Sequence, residues 1–181
     1  INTNNSLKAS EYLAKFSRLI RMIIEKASQA EISLYDELAR LTYYLELEKE
    51  RFKNKFDYVI HIDETIDTRE VSIPNMIIQP HVENCIIHGI LPKQEHGTLH
   101  ISFKKPDERK FVIVIEDDGV GLIKAAEHAK TGHKSLGTST IRDILEINSK
   151  LTGKRQRVSM VDKSTLDPTA HGTIITIEIE L

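Results

Sequence analysis

Near Lys53 the apolar rhythm of the chain changes from helical to extended, and no other feature of the sequence constrains the fold as much. Before that point Leu7, Tyr12, Leu13, Phe16, Leu19, Ile20, Ile23 and Ile24 recur at spacings of three and four, the stripe of an amphipathic helix. Residues 28–33 interrupt the stripe. Ser33 is placed to cap a second helix, and Asp36 stands where a capping box would carry Glu or Gln. Leu34, Leu38, Leu41, Leu45 and Phe52 then mark the apolar side of that helix as far as about Lys53. Two antiparallel helices joined by a short link bury little by themselves, so they need a partner, either another chain or the rest of this one.

From Phe56 the period is two: Phe56, Tyr58, Ile60 and Ile62 alternate with polar residues and predict a strand. Residues 63–72 read as a loop. Pro74 is placed to open a helix running to about His88, and Gly89 to end it. Strands follow at 98–103 and 111–116, then a polar, glycine-containing stretch at 117–137. A helix is predicted over 138–151, with strands at 157–161 and 173–180. The order strand, helix, strand, strand, loop, helix, strand, strand lacks the alternation of a doubly wound parallel sheet. It predicts an α+β fold, a two-layer α/β sandwich in which a mixed sheet is covered by helices on one face. The division falls into a helical segment, 1–53, and a sheet-containing domain, 54–181.

Composition narrows the function. With 40% hydrophobic and 29% charged residues the chain has the material for a core, and a formal net charge of −2 gives no electrostatic case for nucleic acid as a partner. Cys85 is the only cysteine, which excludes an internal disulfide or a four-cysteine zinc site and suits a reducing cytoplasm. No apolar run approaches the ~20 residues a bilayer crossing needs. Any membrane anchor is expected upstream of Ile1.

Three segments could carry chemistry. In Gln79-Pro80-His81-Val82-Glu83-Asn84-Cys85-Ile86-Ile87-His88-Gly89, a helix would bury Ile78, Val82, Cys85 and Ile86 and present Asn84 and His88 on the roughly opposite side, with Glu83 beside them. The Asn84 amide oxygen is the hard ligand that Mg²⁺ accepts, although on this helix alone an amide facing solvent is the plainer reading. In Glu116-Asp117-Asp118-Gly119-Val120-Gly121, carboxylates end an apolar strand and Gly-x-Gly allows close approach of backbone to a ligand. An Asp there could accept from the adenine amine and reject guanine, which presents an acceptor in that place. A tight acidic turn would look the same. In Gly132-His133-Lys134-Ser135-Leu136-Gly137-Thr138, glycine before a helix start exposes backbone N–H groups to an anion, and Lys134 adds a charge. A solvated surface loop is the alternative. Neither the Walker phosphate loop nor the dinucleotide fingerprint occurs. The eight histidines make no zinc-type pair, and no serine-hydrolase elbow is present.

Taken in order, these segments resemble the LytS/YehU-like sensor histidine kinases, from about Tyr12 to the C-terminus. Residues 12–21 resemble the helix that follows the phosphoacceptor. Residues 34–52, with Tyr44-Leu45-Glu46-Leu47-Glu48 and Arg51-Phe52, resemble the second helix. Gln79 to Asn84 with His88-Gly89 is similar to the N-box. Asp117-x-Gly119-x-Gly121 is similar to the first glycine box, Ser135-Leu136-Gly137 to the end of the lid, and Gly172-Thr173 to a late Gly-Thr beside the adenine pocket. The resemblance implies the Bergerat ATP-binding fold shared with gyrase, the ninety-kilodalton heat-shock chaperone and MutL. It implies a two-component phosphorelay in which ATP phosphorylates a histidine and a response-regulator aspartate then receives the phosphoryl group. Asn84 would ligate Mg²⁺, and Glu83 would help order the metal's water or the accepting imidazole. Asp117 would bind the adenine amine with Thr173 nearby, and Gly119 and Gly121 would admit the nucleotide. Lys134, Gly137 and Thr138 would serve the phosphates, under a lid spanning 122–136, and His88 would also belong to the nucleotide site. A homodimer through the N-terminal helices, no nucleic-acid partner, and a cytoplasmic position with membrane attachment only through upstream segments are also implied.

The sequence departs from the family pattern at His81, Cys85, Ile87, Asp118 and Ile144, and its lid has fewer glycines than usual. The family's Asn-Pro-His-Phe phosphoacceptor motif does not occur in the chain and is expected upstream of Ile1, so this chain is expected to bind ATP without phosphorylating itself. A nucleotide-responsive binding module that dimerises without phosphotransfer is the alternative. An ATP hydrolase of the gyrase kind is disfavoured, because Pro80 stands where those relatives place a water-activating Glu.

Overall fold

A computed structural model describes residues 3–123, 153 and 155–181. Helix α1 (Thr3–Lys26) leads to a short strand β1 (Glu31–Ser33) and helix α2 (Leu34–Arg51). The Ser33 hydroxyl accepts from the Asp36 backbone N–H at 3.1 Å, the capping bond its position predicts. The helices run antiparallel. Lys15 pairs with Glu50, the Arg18 guanidinium stacks 4.9 Å from the Tyr43 ring, and Lys26 reaches Asp36 at 3.1 Å.

Strands β2 (Phe56–Ile62), β4 (Gly97–Asp107), β5 (Lys110–Asp117), β6 (Gln156–Asp162) and β7 (Thr173–Glu180) form one mixed sheet in the order β2-β4-β5-β7-β6. The β2–β4 pair is parallel and the others antiparallel. In β5 and β7 burial alternates strictly along the strand, so one face of the sheet is packed and the other open. The packed face supplies Leu99, Ile101, Phe103, Phe111, Ile113, Ile115, Ile175, Ile177 and Ile179 to the core, with Phe103 and Phe111 centred 6.3 Å apart. Leu41 and Leu45 of α2 and Val82 and Ile86 of the next helix belong to the same core. That is the α+β sandwich expected, and the helical segment shares its interior.

Two boundaries differ from expectation. Pro74 does not open a helix: it ends a strand, β3 (Ser72–Pro74), which pairs antiparallel with β1 from Glu31↔Pro74 to Ser33↔Ser72. Proline fits there because the end of a short edge strand needs no donor from it. The chain then turns through Met76, at a φ of 63°, and helix α3 (Gln79–Asn84) takes Pro80 into its first turn instead. Nor does Gly89 end the helix. It lies inside a wider π turn, Cys85–Ile90, closed by the Leu91 N–H donating to the Ile86 carbonyl at 2.9 Å.

A buried polar clamp sits where the helices meet the sheet unit. Glu37 and Arg40, one turn apart on α2, pair with each other while only 1% and 3% exposed. Arg40 also donates to Asn75 Oδ1 at 2.9 Å, and Asn75 Nδ2 donates to the carbonyls of Lys26 and Gln29 at 2.9 and 3.0 Å. Desolvation raises the Glu37 carboxyl above its ordinary range, against the lowering effect of Arg40.

Candidate functional site

The packed face of β5 ends on a carboxylate instead of an apolar side chain. Asp117 continues the inward row of Phe111, Ile113 and Ile115, and is 1% exposed. Its Oδ1 accepts from the Gly119 N–H at 2.8 Å, and the Thr173 backbone N–H is near enough to favour the charged carboxylate. Oδ2 is buried with no hydrogen-bond partner among the described residues. Burial holds the Asp117 carboxyl above its ordinary range, although the Cys85 thiol and the two backbone N–H groups lower it. An orphaned buried carboxylate oxygen is costly in a finished core and natural where a ligand donates to it.

The π turn builds the wall opposite. Its Cys85 thiol adjoins the Asp117 carboxylate, and burial, with the carboxylate's charge added, pushes that thiol well above its ordinary range. The Gly89 carbonyl accepts from the Val120 N–H at 2.9 Å and so ties the turn to the loop after β5. That approach requires glycine at 119: a Cβ there would stand 2.2 Å from the Gly89 carbonyl carbon. Gly121 is required for a second reason. It adopts a φ of 83°, and a Cβ would come within 2.7 Å of Asp162 Oδ2.

Of the residues singled out from sequence, Asp117, Gly119, Gly121 and Thr173 gather at one end of the sheet, and Asn84 immediately precedes the Cys85 that touches Asp117. Asn84 is half-buried, and its side chain bonds to none of the described residues. Glu83 and His88 are exposed. Glu83 looks toward α2, where burial first, and then the charges of Glu48 and Glu83, raise the Tyr44 phenol. Lys134, Gly137, Thr138 and most of the expected lid lie outside the described residues.

Two further residues escaped the sequence reading. Asp162, at the end of β6, accepts from the Ile123 N–H through Oδ2 at 2.9 Å and from the Ser164 N–H and hydroxyl through Oδ1 at 3.0 and 2.6 Å. Burial alone would raise its carboxyl, but these donors outweigh it and the pKa is lowered. Asp162-Lys163-Ser164 is a local signal for such a cap. Lys93 is the other: its ammonium lies 3.1 Å from Asp118 Oδ2, while Asp118 Oδ1 accepts from the Thr98 N–H at 2.8 Å. Nothing in a single sequence announces a contact across 25 residues.

Comparison with known proteins gives this site a context. Residues 1–56 match the family model described as histidine kinase. The sensor histidine kinase/phosphatase LytS of Staphylococcus aureus is 31% identical over 124 residues, covering 68% of this chain and 21% of LytS. The chain spans less than half the length of the curated relatives it matches. Among solved structures, the histidine kinase domain of the Erythrobacter litoralis EL346 blue-light activated kinase superposes with a TM-score of 0.53 at 14% identity, covering 96% of this chain and 81% of that one. The histidine kinase ThkA, in complex with the response regulator TrrA, does so with a TM-score of 0.50 at 19% identity, covering 94% of this chain and 48% of that one. With a helical segment that matches the family model, identity to LytS running through most of its length and the fold of a kinase catalytic domain, the chain belongs to the LytS-like sensor histidine kinases.

Proposed function

We propose that residues 54–181 bind ATP and direct its γ-phosphoryl group to a histidine outside this sequence, and that residues 1–53 form part of the dimerisation segment. The observation that carries this is Asp117, a carboxylate 1% exposed whose Oδ2 has no partner among the described residues. Beside it the Gly89 and Gly119 backbones meet so closely that no Cβ fits at 119. The adenine amine offers the missing donor, and guanine's carbonyl in the same place would oppose the carboxylate, so the site selects a base as well as holding one.

Mg²⁺ fits the donor set. Asn84 supplies one neutral hard oxygen, and a Mg²⁺ held by so few protein ligands takes the rest from phosphates and water. When bound, Mg-ATP supplies the transferable phosphoryl group. The chain's own part is to place it and neutralise charge, with Glu83 and His88 on the exposed side next to Asn84. Lys134, Gly137 and Thr138 complete the phosphate contacts in this reading. The receiving partner after histidine is a response regulator, as in the ThkA–TrrA complex. No described helix is long and apolar enough to cross a membrane. The reading puts this part of the protein in the cytoplasm.

Homodimerisation goes with it. Leu13, Phe16, Ile20 and Ile24 stand 38–68% exposed along α1, an apolar strip that a second copy would cover.

Calorimetric titration with a non-hydrolysable ATP analogue and Mg²⁺ tests the site. Saturable binding to the unsubstituted chain is expected, with little binding of the GTP counterpart and loss in Asp117→Asn, which turns an amide donor toward the amine. Equal affinity for both bases, or Asp117→Asn binding undiminished, would remove the adenine assignment.

A further inference from the structure

Directly after Asp117, at the same end of β5, stands a second carboxylate, Asp118. Its charge acts unfavourably on Asp117. A bound nucleoside triphosphate would bring several more negative charges to the same end of the sheet, and like charges close together in a partly dry site cost most. In the structure Asp118 is not left bare. Lys93 Nζ lies 3.1 Å from its Oδ2, with the two side chains 21% and 40% exposed. Lys93 itself is fixed at the exit of the π turn, where its backbone N–H donates to the Ile90 carbonyl at 3.1 Å. Asp118 is fixed to β4 by Thr98, whose N–H donates to Oδ1 at 2.8 Å and whose carbonyl accepts the Asp118 N–H at 3.3 Å. The ion pair therefore closes the same gap between π turn and glycine loop that the Val120 N–H to Gly89 carbonyl bond closes a few residues away.

We infer that Lys93 is a positioning residue for the nucleotide site: by pairing with Asp118 it cancels that carboxylate's charge, so that Asp118 opposes neither the ionised Asp117 nor the phosphates of a bound nucleotide. The inference rests on the nucleotide reading above. Lys93 acts through Asp118 and does not touch the ligand. That makes the charge of residue 118 decisive: with a neutral side chain there, Lys93 has nothing to cancel.

The test is a cycle of four proteins, the unsubstituted chain, Lys93→Met, Asp118→Asn and the double substitution, each titrated calorimetrically with a non-hydrolysable ATP analogue and Mg²⁺. Circular dichroism would establish that each is folded. Lys93→Met is expected to weaken binding roughly threefold to fivefold, the scale of a partly exposed ion pair. Asp118→Asn, which keeps the acceptor for the Thr98 N–H, is expected to bind within about twofold of the unsubstituted chain. The double substitution is expected to recover the affinity that Lys93→Met alone loses. Equal affinities in all four proteins would overturn the role of Lys93 and leave the nucleotide site standing. A double substitution as weak as Lys93→Met would also overturn it, since Lys93 would then act on the ligand directly. No binding by the unsubstituted chain would instead bring down the nucleotide reading, and this inference with it.

Discussion

Helices α1 and α2 carry apolar residues at the same spacing, and the molecule treats them oppositely. In α2, Leu34, Leu41, Leu45 and Leu47 are at most 3% exposed and join the core of the sheet. In α1, Leu19 alone among the large aliphatic side chains is buried, with Tyr12 and Ile23 partly packed, while Leu7, Leu13, Phe16, Ile20 and Ile24 face outward. Periodicity identifies the apolar side of a helix but not what covers it. Cover comes from the rest of the fold, and only α2 has a sheet beneath it.

The strongest way to break this comparison is to attack the polar device that seats α2. Arg40→Met would leave the Glu37 carboxyl buried with its main partner gone, and would release Asn75 from its donor. A loss of about 3–5 kcal/mol in urea unfolding is expected, because removing one member of a buried pair strands the other. The double change Glu37→Leu with Arg40→Met should cost less than Arg40→Met alone. If the single substitution proved nearly silent, the helical segment would not be clamped to the sheet unit as described.

Next comes the apolar half of the same contrast. Leu45→Ala, at a position fully buried, should cost about 3 kcal/mol in the same measurement, the transfer term plus a cavity. An equal loss from Leu13→Ala, 61% exposed, would mean that α1 is as covered as α2 and that the contrast is false.

These two helices also show how far sequence reaches. The period change near Lys53, the Ser33 cap and the strands of the sheet were legible because each is a local pattern repeated over several residues. The strand β3 was not, since three residues carry no period and Pro74 suits a helix start as well as a strand end. The π turn was hidden for a similar reason: an α and a π turn bury nearly the same residues, and only the backbone bonding, as in the bond from Leu91 to Ile86, tells them apart. For the site, the carboxylate at a strand end followed by Gly-x-Gly marks Asp117, Gly119 and Gly121 as candidates beside the plainer reading of a tight turn, and the resemblance to a family motif adds Thr173 and favours the site. Cys85 against Asp117, Lys93 against Asp118 and Arg40 against Asn75 depend on contacts distant in sequence, which no local pattern encodes.

The covered side of α3 sharpens the comparison further, because it tolerates one polar ring. His81 is 1% exposed, its Nδ1 has no partner among the described residues, and burial brings its pKa down to about 4. In the unfolded chain the imidazole titrates near ~6.5, so protonation favours unfolding. The contribution is fully present above that value, is lost as pH falls from there toward the folded pKa, and is flat below it. The whole effect is at most roughly 3 kcal/mol, and it should appear as a difference in unfolding free energy between the unsubstituted chain and His81→Leu that grows between neutral pH and pH ~4. A difference constant with pH would mean that the ring is solvated or paired.

The smallest effect on stability belongs to the open side of α1, and its smallness is what makes it informative. Leu13→Ser together with Ile24→Ser removes apolar surface that is 61% and 68% exposed, so the unfolding free energy of a monomer should move by no more than about 0.5 kcal/mol. Self-association should respond differently. If a second copy covers this strip, the same double substitution shifts sedimentation toward monomer, and the unsubstituted chain's apparent stability rises with concentration while the variant's does not. If the two proteins sediment alike, the strip is solvated surface or the seat of another segment, and dimerisation through this side of α1 is wrong. A stripe that costs the fold nothing when it is broken, yet holds two chains together, would show that the two helices differ only in whether the covering surface comes from the same molecule.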